Sequence, residues 1–516
     1  MAIYYVDPSS VGGDGTTEGL TGATAAYASL EAGRAARATG TLTAALTFIC
    51  NDSVGGIKDT MIGTGPYFSL TQSGFLITLD LRSGYTLEVT YNGDYQSALR
   101  LGGESGWLIT GDGTGSIIGV YDHTTYTIGF TRPVIFMDRV GSAGTEIIEN
   151  VEVKTKTIGD TPLANNSTII GDVGSVSASR TIRNVVQWHD GIVSANPTLG
   201  DSGAGAVIVY MWNCIFAYGE FKTRATHEYG NVIVVGDRWD SSLFGTSRGG
   251  NKSEDATGID VGGRGANISF YDTVNGDFRI KTYDVGAKEQ GVDLSAFTNP
   301  PTTDMFGTAR PQGASWDAGI HEADPVTIAT APASIQDGDT AFAFTTTGFG
   351  TVSGVSITNG TFSVACTGLA GTSGSYTANA PVVSGLSADA LGAPFTTAWW
   401  DGAELEVTDG TYTGQFQITW DPKTGWSVRD MAEIIYTGSG SIVENFTGSP
   451  AQYDQMYGPS TISVAGDMTY VADASVTSDT GMIYFDQSDG YNKLFTLEFA
   501  SSATVTTIGL GMRLGI

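Results

Sequence analysis

The chain has 516 residues, 71 of them Gly, with charged residues at only 15% and a formal net charge of −29. That length exceeds one ordinary domain, and so much Gly suits short strands and tight turns, not long helices. So acidic a surface is repelled by the polyanions nucleic acid and anionic membrane, so neither is expected as a partner.

The segment Ile3–Val6 predicts a short strand, and Gly12–Gly22 (GGDGTTEGLTG) a loop. Ala25–Ala38 is the best helix candidate, because Ala, Leu, Glu and Arg favour helix and Gly40 follows as a stop. Leu42–Cys50 is strand-like. From there to about residue 285, strands and turns recur at a loose spacing of roughly 20–30 residues. The strands are Phe75–Leu81, Tyr85–Tyr91, Gly106–Gly113, Val134–Val140, Ile147–Thr155, Thr181–Trp188, Ala206–Phe216, Asn231–Trp239 and Ala266–Asp272. Asn precedes an apolar strand at Asn150, Asn184, Asn213, Asn231 and Asn267. Asn tolerates left-handed backbone angles and bonds neighbouring main chain, so these positions read as corners of a coil. The expected architecture is all-β: a parallel β-helix over about residues 40–285, its exposed end closed by the early helix.

Two stretches carry a family resemblance. The opening, YYVDPSSVGGDGTTEGLTGATAAYASLEAGRAARATG, resembles the entry cap of pectate-lyase-like right-handed parallel β-helix proteins. The close, Asp277–Ser295 and then Asp304–Ala323, is similar to the family's acidic-Gly-x-x-Arg-Pro and Asp-x-Gly-x-x-Glu ending. The matching residues are Arg310, Pro311, Asp317, Gly319 and Glu322. The resemblance covers about residues 1–323 and implies a right-handed coil. The family spans lyases, hydrolases, adhesins and phage spikes, so it does not fix an activity.

Ala323–Pro332 reads as an extended linker. Residues 333–390 alternate Thr, Ser, Val and Phe between Gly turns, the pattern of a small immunoglobulin-type sandwich. Residues 395–516 form a third, more aromatic β region ending in the apolar run Val505–Ile516. The expected domains are therefore 1–325 (β-helix), 326–394 (Ig-like sandwich) and 395–516 (C-terminal β domain). That plan, a rod followed by accessory β domains, resembles phage tail fibres, tailspikes and head-attached fibres.

The chemistry concentrates between residues 188 and 260: Trp188-His189-Asp190, Lys222-Thr223-Arg224, His227-Glu228, Asp237-Arg238-Trp239-Asp240 and Glu254-Asp255. A glycosidase needs two carboxylates roughly 5–10 Å apart. Asp237, Asp240 and Glu228 are the catalytic candidates, and Trp239 and Trp400 the rings for stacking on a sugar. The competing reading has these residues decorating solvent-facing loops, and it is preferred because no diagnostic arrangement appears. No HExxH, EF-hand loop or phosphate loop occurs, so no metal or cofactor is expected. The acid cluster Asp337-Gly338-Asp339 could hold calcium, but no EF-hand or Gly-rich Asp repeat surrounds it. Cys50, Cys214 and Cys366 lie far apart and read as buried thiols.

The start, MAIYYVDPSS, shows no basic-then-apolar leader, and no run reaches the ~20 apolar residues of a membrane span. An extracellular-looking composition without an export signal leads to the expectation of a virion protein made in host cytoplasm and released by lysis. The function expected is a structural surface protein of a tailed-phage particle, homotrimeric, contacting other virion proteins and host surface polysaccharide. The absence of a domain ahead of the coil sets it apart from the usual tailspike arrangement. The rivals are an enzymatic tailspike cleaving that polysaccharide, and a secreted bacterial adhesin.

Overall fold

A computed structural model describes most of residues 1–381 and 403–421. Outside the described residues lie 39–41, 71–74, 95, 104–105, 127, 129–132, 139–145, 160–169, 173–178, 191–198, 202–207, 219–220, 223–226, 237–238, 241–244, 256, 259, 337, 359–362 and 373. Beyond residue 421 only backbone strands between Glu433 and Phe499 are described. The chain divides into two units, Met1–Pro325 and Val326–Ile516.

The first unit is a parallel β-helix with three strand stacks. The first stack runs through Ala2–Val6, Leu46–Cys50, Leu76–Leu81, Gly106–Gly111, the first halves of Glu146–Ile158 and Arg180–Asp190, then Val209–Trp212, His227–Gly230 and Thr246–Gly249. The second runs from Asp59–Ile62 through Thr86–Tyr91 and Ser116–Asp122 to Lys252–Ser253. The third contains Tyr67–Leu70, Leu99–Gly103, Ile135–Asp138, Ile170–Asp172 and Leu199–Asp201, with Phe221–Lys222 beside Trp239–Asp240. All these pairings are parallel. Residues two apart line one face, so Phe48, Leu79, Ile109, Ile148, Ile182, Met211 and Tyr229 form one continuous inward row. Coil length shortens toward the C-terminal end: the Arg180–Glu146 bond spans 34 residues, the Trp239–Thr257 bond 18.

The corners are where the sequence places them. Asn150, Asn184, Asn213 and Asn231 have φ of 55, 52, 52 and 56°. At each, the chain turns from the first stack into the second, and an Asn side chain makes that left-handed step tolerable. Asn184 Nδ2 donates to Asn150 Oδ1 in the preceding coil at 3.0 Å. Asn267 is not in this set: the last strand of the parallel ladder is Lys252–Ser253, followed by a single parallel bridge from Ser253 to Arg264, short of the expected residue 285. Phe270–Asp272 instead pairs antiparallel with Asp277–Ile280. The other boundary also moves, because Ala2–Val6 joins the ladder beside Leu46–Cys50.

The helix is shorter than its composition predicts, Leu30–Arg37. Ser29 is its N-cap, accepting from Ala32 N at 3.1 Å. Ala25 and Ala26 are drawn out of the helix by the Gly-rich loop: Gly15 N donates to Ala25 O and Gly13 N to Ala26 O. Gly15, at φ 72°, lies so close to the Tyr27 ring that a Cβ would fall 2.3 Å from it. Asp59 fixes the helix to the coil by accepting from Leu30 N and Tyr85 Oη, both at 2.6 Å.

After the ladder the chain turns back along the coil. Val292 exchanges two bonds with Asn231, Trp212 Nε1 donates to Thr298 O, and Arg183 Nη1 donates to Asn299 O and Pro300 O. Asn184 then donates to Thr303 O at 2.9 Å. The segment 292–303 thus straps successive Asn corners. Beside it, Phe270, Phe278, Met305 and Ile320 cover the outward residues Trp188, Ile215 and Ile233 of the second stack.

In the second unit, Thr327–Thr330, Phe342–Thr347, Ser375–Asn379 and Thr367–Thr372 form one antiparallel sheet. Ser363–Ala365, Gly354–Thr358, Glu404–Thr408 and Thr413–Gln417 form another. Their core contains Ile328, Phe344, Ile357, Tyr376, Leu405, Val407 and Trp420. The sandwich therefore continues past residue 394, where the sequence places a boundary. Glu404–Thr408 is bonded to Gly354–Thr358, and Thr419–Asp421 to Ser334–Gln336. Further along, Glu433–Tyr436, Ser441–Asn445, Thr461–Ala465, Asp467–Val471 and Thr496–Phe499 make a five-stranded sheet. The terminal run Val505–Ile516 lies outside the described residues. Cys50 and Cys214 are buried thiols, while Cys366 is only half-buried.

Candidate functional site

Strand alternation sorts the candidate residues onto opposite sides of the coil wall. Glu228 lies in His227–Gly230, whose inward residues His227 and Tyr229 are buried, so Glu228 faces outward. Its register neighbours are Tyr210 in the coil before and Thr246 in the coil after. Arg248 donates to Glu228 Oε2 through Nε at 2.9 Å and Nη2 at 2.7 Å. The same guanidinium lies 5.1 Å from the Phe297 ring centroid. Phe297 packs at 5.8 Å on Trp212, which stacks at 5.9 Å on Tyr210. Two half-exposed rings, Tyr210 and Phe297, thus stand near a half-exposed ion pair. This surface can contact a ligand by stacking and hydrogen bonding. It gives Glu228 a cation as its direct partner, where hydrolysis of a glycosidic bond calls for a second carboxylate.

Trp239 is not a sugar platform. It sits inside the coil, 1% exposed, edge-on to Phe221 at 4.8 Å and to Tyr229 at 5.3 Å. Its register with Phe221 in the third stack puts it on the inward phase, where burial of a large ring stabilises the core. Asp237, the side chain of Asp240, and Trp400 lie outside the described residues. The backbone of Asp240 belongs to the third stack and Glu228 to the first, so the two candidates belong to different faces.

The Trp188-His189-Asp190 run divides in the same way. His189 points inward, bonded through Nδ1 to Thr155 Oγ1. Burial pushes its pKa down to about 4, so the imidazole is neutral. Trp188 points outward beneath the hairpin, where Gly276 (φ 84°) leaves room that a Cβ would close to 2.5 Å. Its Nε1 donates to Glu152 Oε1 at 2.5 Å, and Lys154 Nζ stands 4.6 Å from the ring. Burial raises the Glu152 pKa. Glu254 accepts from Gly236 N, and Asp255 binds Thr257. Among the described residues no group of three His, Cys, Asp or Glu side chains is placed to hold a metal ion. Asp337 lies outside the described residues.

The closing motif, noted in the sequence only as a resemblance, is a buried ionic knot. Arg310 Nη1 donates to Glu322 Oε2 at 2.8 Å and to Asp317 O, and Nη2 donates to Gly319 O. The two side chains are 0% and 1% exposed. Asp317 accepts from Glu289 N and Ala323 N, and Asp304 from Glu322 N. Burial, reinforced by the neighbouring Glu322, pushes Asp317 up to about 7. The arrangement joins the strap to the end of the unit and leaves no open face for a substrate at Arg310. The Arg-Pro and Asp-x-Gly-x-x-Glu spacing was the signal that could have found it.

No protein-family model matches the chain, and no curated protein does. Among solved structures, the crystal structure of pectate lyase Pel9A matches 62% of this chain and 96% of its own, at 12% identity and a TM-score of 0.27. This is a distant likeness, and the parallel coil is read here from strand register.

Proposed function

We propose that this chain is a structural, non-catalytic surface protein of a tailed-bacteriophage particle, built as a β-helix followed in the chain by further β domains. The observation that carries the non-catalytic part is the allocation of the coil's chemical residues. Glu228 is held by Arg248, His189 is neutral inside the wall, and Trp239 is core. The virion assignment is supported by the acidic, Gly-rich composition and the division of the chain into a β-helix unit and a second β unit. The same reading makes the coil right-handed, as parallel crossovers overwhelmingly are, and the sandwich of immunoglobulin type. It makes the assembly a homotrimer, with contacts to its own copies and to other virion proteins through residues 395–516. Host polysaccharide is contacted along the outer face at Tyr210, Phe297 and Arg248.

The test has two arms. Purified particles are analysed by mass spectrometry and labelled with antibody to the coil, and detection at the particle surface is expected. The purified chain is then incubated with host capsular polysaccharide and assayed for new reducing ends and unsaturated uronates. Retention on the glycan without cleavage is expected, weakened by Tyr210→Ala. Absence from particles overturns the virion reading, and product formation overturns the non-catalytic one.

A further inference from the structure

The outward surface at Glu228 combines an engaged ion pair with unused hydrogen-bonding capacity. Tyr210, Glu228 and Thr246 stand in one register row on successive coils, so all three share the outward face. Tyr210 and Phe297, the latter carried by the strap, both pack on Trp212, at 5.9 and 5.8 Å. Both bonds from Arg248 to Glu228 end on Oε2, at 2.9 and 2.7 Å. Among the described residues, Glu228 Oε1 accepts no hydrogen bond and Arg248 Nη1 donates none. The strap, residues 292–303, carries one charged residue, Asp293, which is exposed. The charges of the row and the strap are therefore two carboxylates and one guanidinium, and that guanidinium is already paired.

We propose that this face recognises a neutral sugar unit through its hydroxyl groups and discriminates against uronates and other acidic sugars. The inference rests on the reading of Tyr210, Phe297 and Arg248 as the glycan contact, and it names the class of sugar that contact takes. The C–H face of a sugar ring packs on Tyr210 and Phe297. An ionised carboxylate only accepts hydrogen bonds, so Glu228 Oε1 calls for a ligand that donates, and adjacent sugar hydroxyls do so. Arg248 Nη1 then donates to an oxygen of the same sugar. A uronate replaces a donating hydroxymethyl group with a carboxylate that has no proton to give. Its charge meets Glu228 and Asp293, while the one nearby cation is already neutralised by Glu228. The chain's net charge of −29 adds repulsion of the same sign at longer range.

The experiment is affinity electrophoresis of the full chain through gels containing dextran, mannan, galactan or polygalacturonate. The expected result is retention by at least one neutral polymer, with a Kd about tenfold or more below that for polygalacturonate. Glu228→Gln keeps the shape and replaces the acceptor-only carboxylate by an amide. It should weaken the neutral polymer, strengthen polygalacturonate and so narrow the gap. Tyr210→Ala should weaken every polymer that binds. Polygalacturonate retained as well as or better than every neutral polymer, and released by Tyr210→Ala, overturns the sugar class while leaving the face as the glycan contact. A ratio between neutral and acidic polymers that Glu228→Gln leaves unchanged also overturns the sugar class. Retention untouched by Tyr210→Ala, or no retention by any polymer, overturns the glycan contact itself and this inference with it.

Discussion

Replacing Glu322 by Ala tests whether the closing motif holds the first unit together. The change removes the acid facing Arg310, whose guanidinium is fully buried. Breaking a buried pair from one side costs about 3–5 kcal/mol, because the remaining charge keeps only neutral carbonyl partners, Asp317 O and Gly319 O, and is shielded from water. Glu322 also accepts from Gln312 N and, at 3.3 Å, from Asp317 N, so two backbone donors lose a partner as well. The effect should therefore lie at the upper end of that range. The assay is urea unfolding followed by tryptophan fluorescence. Trp316, 5.9 Å from the Arg310 guanidinium, is a local reporter. Glu322→Gln keeps the shape without the charge and should fall between Ala and the parent. The double change Arg310→Met with Glu322→Leu should recover part of the loss, since no lone charge remains. Recovery should be incomplete, because Asp317 O and Gly319 O then lack their donor. An unfolding midpoint for Glu322→Ala equal to the parent's would refute the account.

Three further outcomes are expected. Asn184→Ala should cost more than Asn184→Gly, because the left-handed φ of 52° penalises a Cβ by about 1–2 kcal/mol and both changes lose the Asn150 and Thr303 bonds equally; urea midpoints of the pair report the difference. Trp239→Ala should destabilise by about 3–5 kcal/mol, as a core ring does, whereas a sugar platform would leave stability unchanged and alter only glycan retention. Asp317 has a folded pKa near 7, well above its ordinary value of 3.8. The folded state binds that proton more tightly than the unfolded chain, so its contribution is present at acid pH and lost as pH rises through about 7. Stability measured across that window should fall, and Asp317→Asn should flatten the slope.

Much of the fold was legible because its signals are local. An Asn before an apolar strand tolerates a left-handed corner wherever it occurs, and four of the five such residues adopt one. The Arg-Pro and Asp-x-Gly-x-x-Glu spacing marks the end of the unit. Ser29 as a cap explains why the helix begins five residues after Ala25, a signal present in the sequence but outweighed there by Ala content.

What only the tertiary structure decided is phase and partnership. Glu228 and Trp239 read alike in the sequence, as polar and aromatic residues near other acids. One faces outward to Arg248 and the other inward to Phe221, because a strand's two faces are distinguished only by the coils stacked beside it. The same holds for the pairing of Glu404–Thr408 with Gly354–Thr358, and for the strap that returns to Asn231 and Asn184. These contacts join residues dozens of positions apart, and no local propensity encodes which distant strand or corner will satisfy a given backbone bond. The sequence by itself determined the coil, its corners and its closing motif; the stacking of one coil on the next determined which side chains reach the surface.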